Sequence, residues 1–481
     1  MRRVFLGIDC GTQSTKVLLR DASDGKVVRV GRADHDIVER EDGTREQDPG
    51  WWTAALAAAA RDALGRDRVE VAGIGVSGQQ HGLVTLDARD RPVRPAKLWN
   101  DTSTAAQSAE LTERLGGPQR ALALTGNLPL PGYTAPKIVW LRQREPDAYV
   151  RTARMCLPHD YLNLWLTGSF ATEPGDASGT AYFDTRARRY SDVVLGSLDD
   201  RRDWSRTLPV VEPSLSVIGA LRREAADAFG IPAGVPVSAG GGDNMCAAIG
   251  SGITAPGPVA LSLGTSGTVF AYCESPAVDP HGEAAAFCDS TGAWLPLACT
   301  LNCTSATDWI RQLFALEHRA VDAAVSAGGP TPTFLPYLSG ERTPDRPHAS
   351  GVFVGLRSDH DRDAIVRAVV EGVTFGLRYA LETLRRAGAA PSEITLVGGG
   401  AGSDVWAQLC ADVLELPVAR PQLVEAAAAG AARQAQWAID GSMPALAQAR
   451  TERFEPQRRA EIAERGARWS RLREVAGADD L

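Results

Sequence analysis

A chain of 481 residues is too long for one compact core and suits two domains of roughly 200–250 residues each. Its 44% hydrophobic and 23% charged residues are ordinary for a soluble globular protein, and a formal net charge of −8 argues against nucleic acid as a partner. The longest apolar run, Trp51–Ala60, falls far short of the ~20 residues that cross a bilayer, and no address signal is evident, so the chain reads as cytoplasmic with no membrane partner.

The first 33 residues predict a β-meander. Val4–Asp9 is an apolar run, Cys10-Gly11-Thr12-Gln13-Ser14 a turn, and Thr15–Leu19 a second strand. Asp24-Gly25 signals a hairpin into Lys26–Val30. A helix is expected from Asp48-Pro49, with Asp as N-cap and Pro at the first helical position, and Val69–Val76 returns as a strand. Loops after that strand carry Ser77-Gly78-Gln79-Gln80-His81-Gly82 and Trp99-Asn100-Asp101, the amide, imidazole and carboxylate groups that read a polyol by hydrogen bonds.

Near the middle, Val235–Ala239 is strand-like, Gly240-Gly241-Gly242 follows, and Met245–Gly250 has the small apolar character of a buried helix. The domain boundary is placed here, giving residues 1–244 and 245–481. Half a chain after the first turn, Leu261–Phe270 repeats its design, a β-prone run either side of Gly264-Thr265-Ser266. Two such hairpins, one per half, suggest related domains facing a nucleotide. Leu396–Ala401 is another strand ending in glycines, with a helix from Ser403-Asp404. Glu425–Ala432 is helical, Gly430 permitting a close contact, and the charged tail after Pro456 is a solvated helix. The eight cysteines match no zinc spacing and read as reduced, buried thiols.

Phosphoryl transfer needs phosphates held, a metal ion placed, and an acceptor hydroxyl oriented and deprotonated. The Gly11–Ser14 turn can hold phosphate through backbone N–H groups. Asp9, at the strand end beside it, would repel phosphate unless Mg²⁺ intervenes, so it is either a metal-positioning carboxylate or a turn cap. Asp243 is either a base for the hydroxyl proton or the N-cap of the next helix. Neither a Gly-x-x-x-x-Gly-Lys-Ser/Thr loop nor a His-Arg-Asp loop occurs.

Taken together, Gly7–Thr12, Glu46–Pro49 with Trp51-Trp52, Gly78–Gly82, Leu98–Asp101, Pro131–Lys137, Gly240–Asn244, Ser262–Gly267, Phe334–Pro344 and Gly398–Ala401 stand in colinear order over most of the chain. In this the sequence resembles the FGGY carbohydrate kinase family, within the actin/Hsp70-like ATPase superfamily. The resemblance implies an α/β fold of two ribonuclease-H-like domains around a central cleft. It implies ATP and Mg²⁺ as cofactors and a small sugar as substrate, a ketopentose with D-xylulose first. Ribulose, gluconate and glycerol remain as alternative acceptors, an actin/Hsp70-type ATPase without sugar is the remote one, and a homodimer is left open.

By the same resemblance Asp243 is the catalytic base and Asp9 the metal residue. Thr12, Gln13 and Ser14 form the first phosphate loop, and Gly264, Thr265 and Ser266 the second. Gly399, Gly400, Asp404, Thr304 and Asp308 lie near the adenosine, and Gln80, His81, Asp101 and Asn244 near the sugar. Three positions depart from the pattern: Gln80 where members acting on xylulose often have Met, Asp345 in place of His, and Ala364 in place of a polar residue. The first two bear on the identity of the sugar.

Overall fold

The computed structural model describes residues 1–65, 69–447, 450–457 and 459–475. Alternating strand and helix patterns produce two seven-stranded sheets. In the first half, β1 (Arg2–Cys10), β2 (Ser14–Asp21) and β3 (Val27–Asp34) form the expected meander, with Gly25 in the left-handed region (φ 72°) at the second turn. Helix α1 (Pro49–Leu64) follows, its N-terminus capped by the Asp48 carboxylate accepting from Gly50 N. Strand β4 (Val69–Gly78) pairs parallel with β1. A helical insertion including α2 (Pro158–Thr167) leads to β5 (Val217–Ala220), β6 (Pro236–Ser238), the short β7 (Gly241–Gly242) and α3 (Asp243–Ser251).

The second half contains β8 (Pro258–Leu263), β9 (Gly267–Ala271), β10 (Ala285–Cys288), β11 (Trp294–Thr300), α4 (Thr304–Leu313) and the long α5 (Arg362–Arg386). It continues with β12 (Glu393–Val397), α6 (Asp404–Leu414), β13 (Val418–Pro421), α7 (Ala426–Asp440), β14 (Thr451–Phe454) and α8 (Ala460–Val475).

The two sheets share one central plan. The first runs β3-β2-β1-β4-β6 and the second β11-β9-β8-β12-β13. In each, the first two pairings are antiparallel and the last two parallel. The repeat read from two similar turns is therefore a repeat of whole sheets. No helix among the described residues is long and apolar enough to cross a membrane, and all eight cysteines are buried and unpaired.

One helix breaks the linear division of the chain. α7, from the second half, packs on β1 and β4 of the first sheet, opposite the face covered by α1. Close approach is possible because glycines face it: a Cβ at Gly7 or Gly75 would overlap the carbonyls of Ala428 or Ala431. α3 and α7 also cross through facing glycines, since a Cβ at Gly430 would run into the Cys246 carbonyl and one at Gly250 into that of Ala426. The close contact expected at Gly430 is this crossing, and it ties the two halves at the base of the cleft.

Candidate active site

β1 and β4 end side by side, so Asp9 and Ser77 are register partners. Ser77 Oγ donates to Asp9 Oδ1 (3.0 Å), while Oδ2 has no hydrogen-bond partner among the described residues. β7 pairs with β4 at Ser77 and Gly78, which delivers Asp243 to the same strand ends as the first residue of α3. Asp243 Oδ1 accepts from Asn244 N (2.8 Å) and from Asn244 Nδ2 (3.0 Å), and its other oxygen has no partner among the described residues. Asp243 begins the helix instead of capping it, because Gly242 holds the cap position.

Electrostatics follow from this crowding. Burial, then the nearby Asp9 carboxylate, pushes the Asp243 carboxyl up to about 7. Burial likewise pushes Asp9 up to about 6, against the opposing pull of Ser77 and Lys16. Two such carboxylates with open oxygens at one cleft floor are suited to a cation between substrate phosphates and protein. Only an ionised base can take a proton. With Asp243 in the base role that the resemblance implies, the free enzyme's kcat/KM is expected to fall about tenfold per pH unit below pH ~7 and to level off above it. A flat profile from pH 5 to 8 would exclude Asp243 as the base.

Of the residues expected near the sugar, Gln80 reaches Asp243 through Asn244, and His81 follows it in the same loop. Gln80 Oε1 accepts from Asn244 Nδ2 (3.0 Å), and buried Gln80 Nε2 is left without a partner. His81 occupies the left-handed region (φ 65°), a cost for a residue with a Cβ. The conformation is held by Lys137 Nζ and Thr134 Oγ1, both donating to the His81 carbonyl (2.7 and 3.1 Å). His81 Nδ1 contacts Gly179 O (2.8 Å), which requires a proton on Nδ1 and leaves Nε2 as an acceptor. Burial, with Arg342 and Lys137 nearby, lowers its pKa well below the ordinary value, keeping the ring neutral.

Asp101 is placed differently from the expectation that it reads a sugar hydroxyl. It is fully buried, and both oxygens are occupied within the protein. Oδ2 accepts from Lys97 Nζ (2.8 Å) and Arg45 N (2.9 Å), and Oδ1 from Ser103 N (3.1 Å) and Ser103 Oγ (2.6 Å). Lys97 also pairs with Glu46 (3.3 Å) and lies 4.0 Å from the Trp140 ring centroid. An ion lattice satisfied this way is a brace beneath the loop. Neighbouring Trp99 donates to Thr12 Oγ1 (2.9 Å), tying that brace to the first turn.

The two turns themselves match in length: Gly11–Gln13 between β1 and β2, and Gly264–Ser266 between β8 and β9. Gly11 N closes the first onto Ser14 O (3.1 Å), and Gln13 is exposed while Ser14 is buried. Beside the second turn opens a cavity of about 770 Å³. Gly264, Thr265, Thr304, Asp308, Gly399 and Gly400 line it, a convergence of residues far apart in sequence. Ser266 and Asp404 do not line it. Asp404 is turned to Arg420 (2.5 Å), and Ser403 takes its place, its Oγ capping α6 at Trp406 N (3.0 Å). Sequence reasoning missed Arg311, Asp322 and Trp406 in this wall, because helix-surface residues carry no local signal of what they face. A Cβ at Gly399 would meet nothing within 4 Å, so bare backbone forms a flat floor suited to an aromatic base.

The model of the FGGY family of carbohydrate kinases, N-terminal domain, matches residues 4–250, and that of the C-terminal domain residues 259–439. The chain is 43% identical over 448 residues to the xylulose kinase of Haemophilus influenzae, covering 90% of each chain. It is 39% identical over 419 residues to that of Escherichia coli, covering 85% of this chain and 84% of the other. Among solved structures, a xyloylose kinase from Brucella ovis superposes with a TM-score of 0.91 at 35% identity, covering 99% of this chain and 100% of that one. With domain models matching both halves and such relatives along nearly the whole length, the chain belongs to the FGGY family of carbohydrate kinases.

Proposed function

We propose that this kinase transfers the γ-phosphoryl group of ATP to the primary hydroxyl of D-xylulose, giving D-xylulose 5-phosphate. The observation that carries the reading is the chain Gln80–Asn244–Asp243, in which one base oxygen is fixed and the other left open beside Asp9. The hydroxyl binds at the open oxygen of Asp243 and passes its proton there as its oxygen bonds to phosphorus and ADP leaves. Gln80 Nε2 donates to a second hydroxyl, and His81 Nε2 accepts from a third. In this reading the sugar lies on residues 1–244. The nucleotide lies on 245–481, in the cavity between α4, α6 and the Gly264–Ser266 turn.

Asp9 is the residue that would hold Mg²⁺, directly or through water, since it is a buried carboxylate with one oxygen free of protein partners. When bound, the ion neutralises charge on the transferring phosphates. Thr12 and Gln13, in the turn that follows Asp9, would hold those phosphates through backbone N–H groups, whereas the Ser14 side chain is buried in β2. The setting we propose is the cytoplasm, where ATP is available and unpaired cysteines stay reduced.

Gluconate and glycerol are the competing acceptors, and coupled ADP release against a panel of ketoses, aldoses and polyols decides between them. The expected result is a kcat/KM for D-xylulose at least about tenfold above any other. That margin corresponds to one buried polar group left unpaired by the wrong sugar. A higher value for another acceptor overturns the substrate. In the same assay His81→Ala is expected to raise the sugar KM roughly 5- to 150-fold with little change for ATP. Equal effects on both would make His81 structural.

A further inference from the structure

One group of buried titratable side chains lies outside the site described above. His159 and Asp160 on α2, and Asp176 in the short helix Pro174–Ala177, are 0%, 1% and 0% exposed. His159 Nδ1 lies 3.3 Å from Asp160 Oδ1 and 3.4 Å from Asp176 Oδ2. His159 Nε2 lies 2.6 Å from Ala239 O. Asp160 Oδ2 accepts from Leu157 N (2.9 Å), whereas Asp160 Oδ1 and both oxygens of Asp176 make no hydrogen bond within standard geometry among the described residues.

The protonation state follows from the partners. Nε2 also lies 2.9 Å from Asn163 Nδ2, but that amide donates to the same Ala239 carbonyl, and a carbonyl oxygen only accepts, so the nearer 2.6 Å contact places a proton on Nε2. Nδ1 faces two carboxylates, and a bare lone pair there would oppose two anions in a dry interior. Nδ1 therefore carries a proton too. We infer that His159 is an imidazolium at neutral pH, paired with Asp160 and Asp176, and that it is a positioning residue for the Ala239–Gly242 segment presenting Asp243.

The surroundings fit that role. Asn163 Nδ2 donates to the same Ala239 carbonyl (2.9 Å). From the other side, Gln434 of α7 accepts from Gly240 N (3.0 Å) and donates to Gly240 O (2.7 Å). A Cβ at Gly78 would lie 2.9 Å from His159 Cβ, and one at Gly240 2.8 Å from His159 Nε2, so His159 packs its backbone end on the last residue of β4 and its ring on Gly240, between β6 and β7. Burial opposes the charge, but the facing carboxylates of Asp160 and Asp176 outweigh it and hold the imidazole well above its ordinary pKa. Asp176 reaches further, its charge adding to those that raise Asp243. Glu173, the remaining acid beside the cluster, is held by Gly175 N, Asp176 N and Ser214 Oγ. A metal ion is the rival occupant of this donor set, but three side chains converge where a closed structural site takes four.

The charge state can be tested without the kinase mechanism, whereas the effect on turnover rests on Asp243 being the base. Protein labelled with ¹⁵N-histidine has seven histidines to resolve, and His159 is assigned by its loss in His159→Gln. Both ring nitrogens are expected to be protonated at pH 8. A neutral ring at that pH, or a stoichiometric metal found by elemental mass spectrometry, overturns the inference. His159→Gln keeps a donor for Ala239 O and removes the charge. It is expected to lower kcat about tenfold or more while both KM values change less than about threefold, and His159→Lys is expected to recover most of the loss. A glutamine variant with wild-type kcat, or a lysine variant no better than glutamine, overturns the positioning role. If the glutamine variant does not fold, the lysine variant and its own difference spectrum decide: wild-type-like kcat supports the role, and a loss of tenfold or more overturns it.

Discussion

Asp243→Asn is expected to bind ATP and sugar with near-normal affinity and to lose at least about 10²-fold in kcat. A primary hydroxyl has a pKa far above 7 and attacks poorly while protonated. The carboxylate offers it an open oxygen, and a positioned base contributes about 10²–10⁴-fold. Asparagine preserves the local frame, because its Oδ1 can still accept from Asn244 N and Nδ2 as the carboxylate does at 2.8 and 3.0 Å. What it loses is the second acceptor. Folding should not suffer, since burial and Asp9 already disfavour the charge being removed. Sugar affinity by calorimetry and single-turnover phosphorylation separate the outcomes. Retained chemistry sinks the base role, and lost binding returns Asp243 to a residue of the α3 N-terminus.

The second large effect is expected at Asp9. Asp9→Asn keeps an acceptor for Ser77 Oγ but removes the charge that would balance a divalent ion. Mg²⁺ dependence is expected to move to about 10–100-fold higher concentration, with turnover at limiting Mg²⁺ reduced to match. A second readout comes from electrostatics. Asp9 is, after burial, the largest cause of the raised Asp243 pKa, so its neutralisation should shift the acid limb of the pH–rate profile to lower pH. Near-normal turnover at limiting Mg²⁺ and an unmoved acid limb would identify Asp9 as a turn residue alone.

Much of the frame was legible because its signals are local. Asp48-Pro49 caps a helix through the geometry of four consecutive residues, and Asp24-Gly25 turns the chain because glycine accepts a positive φ. Asp101 was misread for the opposite reason. Whether a carboxylate meets a ligand or a lysine depends on which neighbours fill its acceptor sites, and its lysine is set one helical turn's spacing away while its other partners come from Arg45 and Ser103. Asp404 and Ser403 illustrate the same limit within adjacent residues, since Ser403 caps α6 at the cavity wall while Asp404 is turned to Arg420 of β13.

The sequence by itself determined the family, the paired turns, the strand-end placement of Asp9 and Asp243, and the membership of Gln80 and His81 in one loop, because motif spacing and turn chemistry are written along the chain. Only the tertiary structure decided that α7 belongs to the first sheet, that Gln80 reaches Asp243 through Asn244, and that His159 lies between two buried carboxylates. Those facts depend on close packing between segments distant in sequence. There a missing Cβ or an unshared proton matters over a few tenths of an ångström, and no local pattern records it.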